Sequence, residues 1–142
     1  MDIGFLLAGI LLIPLSIRDI KEKAVTVAEL VMFFLSETVM AMITFSRGGT
    51  DIVNMFIGLL PGIMILLFSK VTGFCGAADA WVIGAVGVHL GIFNAVLILL
   101  AGLSLSAVGS VFGLIFRKIS VKERVPFIPY INAGILAVGF LF

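Results

Sequence analysis

The stretch Ile92–Phe116, IFNAVLILLAGLSLSAVGSVFGLIF, decides the fold class. It holds no ionisable side chain and is longer than the roughly 20 apolar residues a helix needs to cross a bilayer's hydrocarbon core. Working outward, five further mostly apolar stretches appear: Ile3–Ile17, Val25–Phe45, Ile52–Phe68, Ala80–Leu90 and Val125–Phe142. The expectation is an all-α integral membrane bundle of about six transmembrane helices. Ala80–Leu90 is too short to cross alone. A half-buried or re-entrant start near Gly76 accounts for that, and irregular backbone is tolerated at membrane depth only where protein or a water-filled cavity surrounds it.

Composition agrees. Of 142 residues, 62% are hydrophobic and 12% charged, against about 45–50% and 25% in soluble domains. A soluble domain with so little charge could not cover its own surface; the lipid bilayer covers it instead. The length suits one domain, 1–142, with short polar connections and no room for a separate soluble unit. A net charge of +1 and the lack of a basic patch speak against a nucleic-acid partner. Cys75 is the only cysteine, so there is no disulfide framework and no Cys-pair zinc site. Met1-Asp2 is an acidic start with no small-residue cleavage site after Ile13, so the first stretch reads as a retained membrane helix rather than a signal peptide.

Orientation follows from the basic residues, because short loops rich in Lys and Arg stay in the cytoplasm. With six crossings, the first, third and fifth connections share a side and carry Arg18, Lys21, Lys23, Lys70, Arg117, Lys118, Lys122 and Arg124. The other side has only Arg47. Both termini are expected outside the cytoplasm.

Asp19 is expected just past the cytoplasmic end of the first helix, and Asp79 at the cytoplasmic start of the fourth. Acidic residues near a bilayer are costly unless they face a polar interior, so both are functional candidates. Two carboxylates in one site can share a proton, one activating water while the other polarises a carbonyl. The plainer reading is that Asp19 balances Arg18, Lys21 and Lys23 while Asp79 caps a helix. Glu37, midway along the second helix, is read as protonated or hydrogen-bonded toward the bundle, and Glu29 as an interfacial residue on nearly the same face. His89, some 15 Å along its helix from Asp79, is read as interfacial rather than catalytic. Cys75 has no histidine base in reach, so nucleophilic catalysis is not expected there. Trp81 and Tyr130 fit an aromatic belt, and Trp81 is also a candidate for the cleft wall.

Three segments carry a resemblance. Gly73-Phe74-Cys75-Gly76-Ala77-Ala78-Asp79, followed by the small apolar run Trp81–Gly87, resembles the Gly-x-Gly-Asp region of the type IV prepilin peptidases. Arg18-Asp19-Ile20-Lys21 looks like that family's first catalytic segment, and Pro126-Phe127-Ile128-Pro129-Tyr130 resembles its Pro-Phe-x-Pro-aromatic element. The three fall in the family's order over nearly the whole chain. The resemblance implies a single transmembrane peptidase domain over 1–142, in the compact form that lacks the four-cysteine zinc domain of larger members. It implies catalytic aspartates at Asp19 and Asp79, with motif support from Gly76, Ala77 and Ala78. Trp81 and Lys21 are candidates for substrate contact, and no metal or organic cofactor is required. The substrate would be a membrane-inserted prepilin with a basic leader, cut at the cytoplasmic face of the cell membrane. Asp19, Glu22 and Glu123 are candidates for attracting that leader.

Three departures from the pattern stand out. Ala78 stands where the family has its second glycine, Trp81 where a lysine is frequent, and Val25-Thr26 where Ile-Pro is usual. An unwound backbone at Ala78 is expected, so that Ala78→Gly would raise cleavage. Two rivals stand beside the peptidase. One is a small transporter or channel subunit using Glu37 and Asp79, whose ionisable groups should lie near the midplane. The other is a catalytically inactive homologue acting in pilus assembly.

Overall fold

The computed structural model describes residues 2–73, 76–120 and 124–142. The expectations for Cys75 and Glu123 lie outside these residues. The described chain is all-helical: α1 (Ile3–Glu22), α2 (Val27–Ser46), α3 (Ile52–Ile57), α4 (Leu60–Thr72), α5 (Ala77–Leu90), α6 (Ile92–Ile115) and α7 (Ile128–Leu141). Among the described residues, four segments are long and apolar enough to cross a membrane: α1, α2, Ile52–Thr72 (α3 with α4) and α6. Together with the shorter apolar α5 and α7 they make a multi-pass bundle of about six membrane helices, as expected. Its outer surface is apolar, with Val71, Phe93, Phe140 and Met64 all largely exposed, which suits lipid as the solvent.

Helix limits follow local chemistry more than hydropathy. α1 runs through Arg18 to Glu22, beyond its apolar stretch, and stops where Lys23 turns left-handed (φ 52°) and returns its N–H to the Asp19 carbonyl. Arg18 binds Glu22 within the helix and Glu29 at the start of α2, tying the two ends together. Thr26 and Glu29 form a reciprocal capping box that starts α2. The third stretch breaks at Gly58-Leu59, where a Cβ on Gly58 would lie 2.0 Å from the Gly87 carbonyl oxygen. The break thus lets α3 and α4 lie directly on the α5 backbone, the close approach that drives helix association in lipid. Leu90-Gly91-Ile92 turns α5 into α6 through one residue, with Gly91 at φ 84°, ψ 166°, a region open to glycine alone.

α5 is the central element. It packs against α2, α3, α4 and α6, and its residues Val82–His89 are all buried. α7 packs chiefly against α1 and α6. With 14 residues, α5 is about 21 Å long, against a hydrocarbon core of about 30 Å. A short helix at the centre leaves a recess at each end, and a cavity is found at both.

Candidate active site

The cavity at the N-terminal end of α5 measures about 240 Å³ and is lined by Asp19, Lys23, Gly76, Asp79, Arg124 and Phe127, among others. It brings together the end of α1, the α1–α2 connection, the start of α5 and the segment leading into α7. Asp19 and Asp79 interact electrostatically across it, and both feel the charge of Arg124.

Asp19 lies in the last turn of α1 rather than beyond the helix, because α1 continues through the polar residues described above. It is buried, and its Oδ2 accepts the Ile128 N–H at 3.1 Å. The first backbone N–H groups of a helix have no partner inside it, and Ile128 opens α7. Pro126 and Pro129, which carry no N–H, flank the Phe127 and Ile128 amides, and it is the Ile128 amide that the Asp19 carboxylate takes up. The Pro-Phe-x-Pro element therefore has a physical role here: it presents a helix-start amide to an aspartate on another helix.

Asp79 is the third residue of α5. Its Oδ2 accepts the N–H of Gly76, the N-cap, at 3.2 Å. Gly76 is extended (φ −75°, ψ 140°), a conformation open to any residue. Its small size matters for another reason: a Cβ there would stand 3.1 Å from Asp79 Oδ2 and 3.4 Å from Arg124 Nη2. Ala77 and Ala78 are helical, and among the described residues only Lys23 and Arg117 are non-glycine residues with positive φ. The expectation of an unwound backbone at Ala78 is thus corrected: Ala78 stands in the first turn of α5, where alanine is favoured.

Asp79 does cap its helix, as the plainer reading held, whereas Asp19 meets the Ile128 amide and Arg18 pairs with Glu22 and Glu29 instead. Capping alone does not require the two to meet in one cavity. Trp81 is half-exposed on the outer face of α5, one turn from Ala77, and its ring meets Phe34 edge-on at 5.8 Å. Lys21 is exposed on α1 and is not among the cavity's lining residues; Lys23 is. Arg124 is the functional candidate that sequence reasoning missed. Its signal was its place directly before Val125-Pro126-Phe127, where it counted only toward topology.

The cavity at the other end of α5, about 670 Å³, is lined by Asp2, Arg47, Asn54, His89 and Asn94, among others. Behind it, His89 Nδ1 and Glu37 Oε2 are 2.6 Å apart, with both side chains buried. Glu37 is hydrogen-bonded toward the bundle, as expected. His89 is not an exposed interfacial residue: α2 encloses this end of α5, and the ring finds a partner 52 positions away. Glu29 is engaged by Thr26 and Arg18. Among the described residues, no group of three or more His, Cys, Asp or Glu is placed to hold a metal ion.

Compared with family models, with curated proteins and with solved structures, the chain matches none.

Proposed function

We propose that the chain is an intramembrane aspartic peptidase that removes the leader of type IV or Tad-type prepilins at the cytoplasmic face of the cell membrane. One observation carries this reading: Asp19 and Asp79, on helices far apart in sequence, line a single recess at the N-terminal end of α5. Two carboxylates so placed share a proton, and the pair titrates as a unit. The ionised member takes a proton from water, whose oxygen attacks the scissile carbonyl carbon, while the neutral member donates its proton to the carbonyl oxygen. On collapse, the C–N bond breaks, the new amine takes up the proton that came from water, and one hydroxyl of the diol returns its proton to the pair, which again holds one proton. The amides of Ile128 and Gly76 hold one oxygen of each carboxylate and so orient the dyad.

The transporter reading is weaker. Asp79 and the Glu37–His89 pair are separated along α5 by Ala80–Val88, a run without an ionisable side chain and buried except at Trp81. That run forms no polar path between them.

The test is co-expression with candidate prepilins, scored by leader removal on a gel. The wild-type chain should cleave, and Asp19→Asn and Asp79→Asn should each abolish cleavage while the protein still inserts. Because each variant removes the shared proton, the double variant should be no worse than either single one. Persistent cleavage by either variant would remove the dyad from the mechanism.

A further inference from the structure

Outside the carboxylate recess, the outer face of α5 forms the floor of an apolar groove. α2 and α4 both pack on α5 but make little contact with one another. The cytoplasm-end half of the groove, about 400 Å³, is walled by Leu30, Val31 and Leu35 of α2 and floored by Ala77, Ala78 and Trp81. Past the Phe34–Trp81 ring pair it continues as a second hollow of about 230 Å³ against α4, reaching Gly62, Ile63 and Gly84.

Apolar surface is the rule on a membrane protein and would not by itself mark a docking site. What marks this groove is where it leads. Val25, Ala77 and Ala78 line both the groove and the recess that holds Asp19 and Asp79. A chain lying in the groove and passing these three residues enters the carboxylate recess directly. From Ala77 to Gly84 the floor runs about two helical turns.

We infer that this groove seats the first two turns of the substrate's own membrane helix, with the polar segment beyond that helix lying across Asp19 and Asp79. This inference rests on the peptidase reading and adds to it the partner surface. The peptide bond cut is then one at the polar end of an apolar helix, and the helix is held alongside α2 and α5 within the lipid. Trp81, where the family frequently has a lysine, becomes part of the floor of the helix seat rather than a contact for a charged leader.

Two measurements test it together. In the first, a photo-crosslinking benzoylphenylalanine replaces Val31, Leu35 or Val111 in the Asp79→Asn background, co-expressed with a prepilin. Val111 lies on α6, as exposed to lipid as Val31 and outside the groove. Adducts to the prepilin helix are expected from positions 31 and 35 and not from 111. Equal capture from all three, or lipid adducts alone at 31 and 35, would overturn the seat.

In the second, kcat/KM is measured for the whole prepilin and for a short peptide spanning the cut but lacking the membrane helix. Val31→Trp should lower the ratio of the two by about tenfold, and Val111→Trp should leave it unchanged. An unchanged ratio for Val31→Trp would sink the proposal even if cleavage itself is intact. Failure of the wild-type chain to cleave either substrate would instead sink the peptidase reading.

Discussion

Gly76 and Ala78 show how one small residue differs from another at the same helix start. Ala78 is helical, so Ala78→Gly removes a helix-favouring residue and should lower stability by about 1 kcal/mol. Prepilin cleavage at matched protein levels should stay level or fall; a rise would reinstate an unwound backbone at this point. Gly76 has a backbone that alanine adopts freely, so Gly76→Ala should leave the melting temperature nearly unchanged. Its methyl group, however, would press on Asp79 Oδ2 and the Arg124 guanidinium at 3.1 and 3.4 Å. Cleavage should therefore drop by about tenfold, equivalent to about 1.4 kcal/mol of lost transition-state stabilisation. Glu37 and His89 call for the opposite pattern, since they lie at the far end of α5 from the dyad. Glu37→Ala or His89→Ala leaves a buried polar partner unsatisfied, at about 1–3 kcal/mol. The double variant should lose less than the sum, while cleavage per folded molecule stays within a few-fold of wild type. Additive losses in thermal unfolding would show that the 2.6 Å contact contributes no coupling.

Among the elements, α5 is fixed by what its glycines let approach. A Cβ on Gly87 would meet the Gly58 carbonyl oxygen at 1.9 Å, and a backbone atom cannot swing aside. A Cβ on Gly84 would find only ordinary contacts, at 3.8 and 3.9 Å. Gly87→Ala should thus destabilise the protein by at least the roughly 1–3 kcal/mol typical of overpacking, and Gly84→Ala should be nearly neutral. Equal melting temperatures for the two variants would contradict the close α3–α5 approach. The same contrast explains which features could be read before the fold was known. Hydrocarbon length demands uninterrupted apolar runs, so the helices, the α5–α6 turn at Gly91 and the shortness of the fourth stretch were all visible in sequence. Asp19 and Asp79 stood out because an ionisable group at a membrane-helix end is costly and conspicuous. The break at Gly58-Leu59 was not visible, because what makes it necessary is Gly87 on another helix. Nor was the Glu37–His89 contact or the Asp19–Ile128 hydrogen bond, since pairs 52 and 109 positions apart leave no local pattern. The extent of α1 was misjudged because its last turn is held by Arg18, Glu22 and the Lys23 cap rather than by apolar residues.

At the scale of the whole molecule, the two recesses define two chemically different ends. The dyad end gathers the α1–α2 connection, the start of α5 and the lead into α7, so Arg18, Lys21, Lys23 and Arg124 lie there. α6 begins beside the opposite recess, where Asn94 lines the wall, and runs 24 residues away from it, carrying Arg117 and Lys118 to the dyad end. The opposite end holds Arg47 together with Asp2. Retention of basic connections in the cytoplasm predicts that the dyad end faces inward. The check is single-cysteine labelling of intact cells in a Cys75→Ser background, with a membrane-impermeant maleimide. Lys21 and Ser46 are both exposed and sit on opposite ends of the α1–α2 hairpin. Ser46→Cys should label from outside, and Lys21→Cys only after the membrane is permeabilised. The reverse pattern would turn the molecule over and place Asp19 and Asp79 outside the cell. A leader still on the cytoplasmic side could not reach them there, so this outcome would remove the prepilin reading along with the orientation.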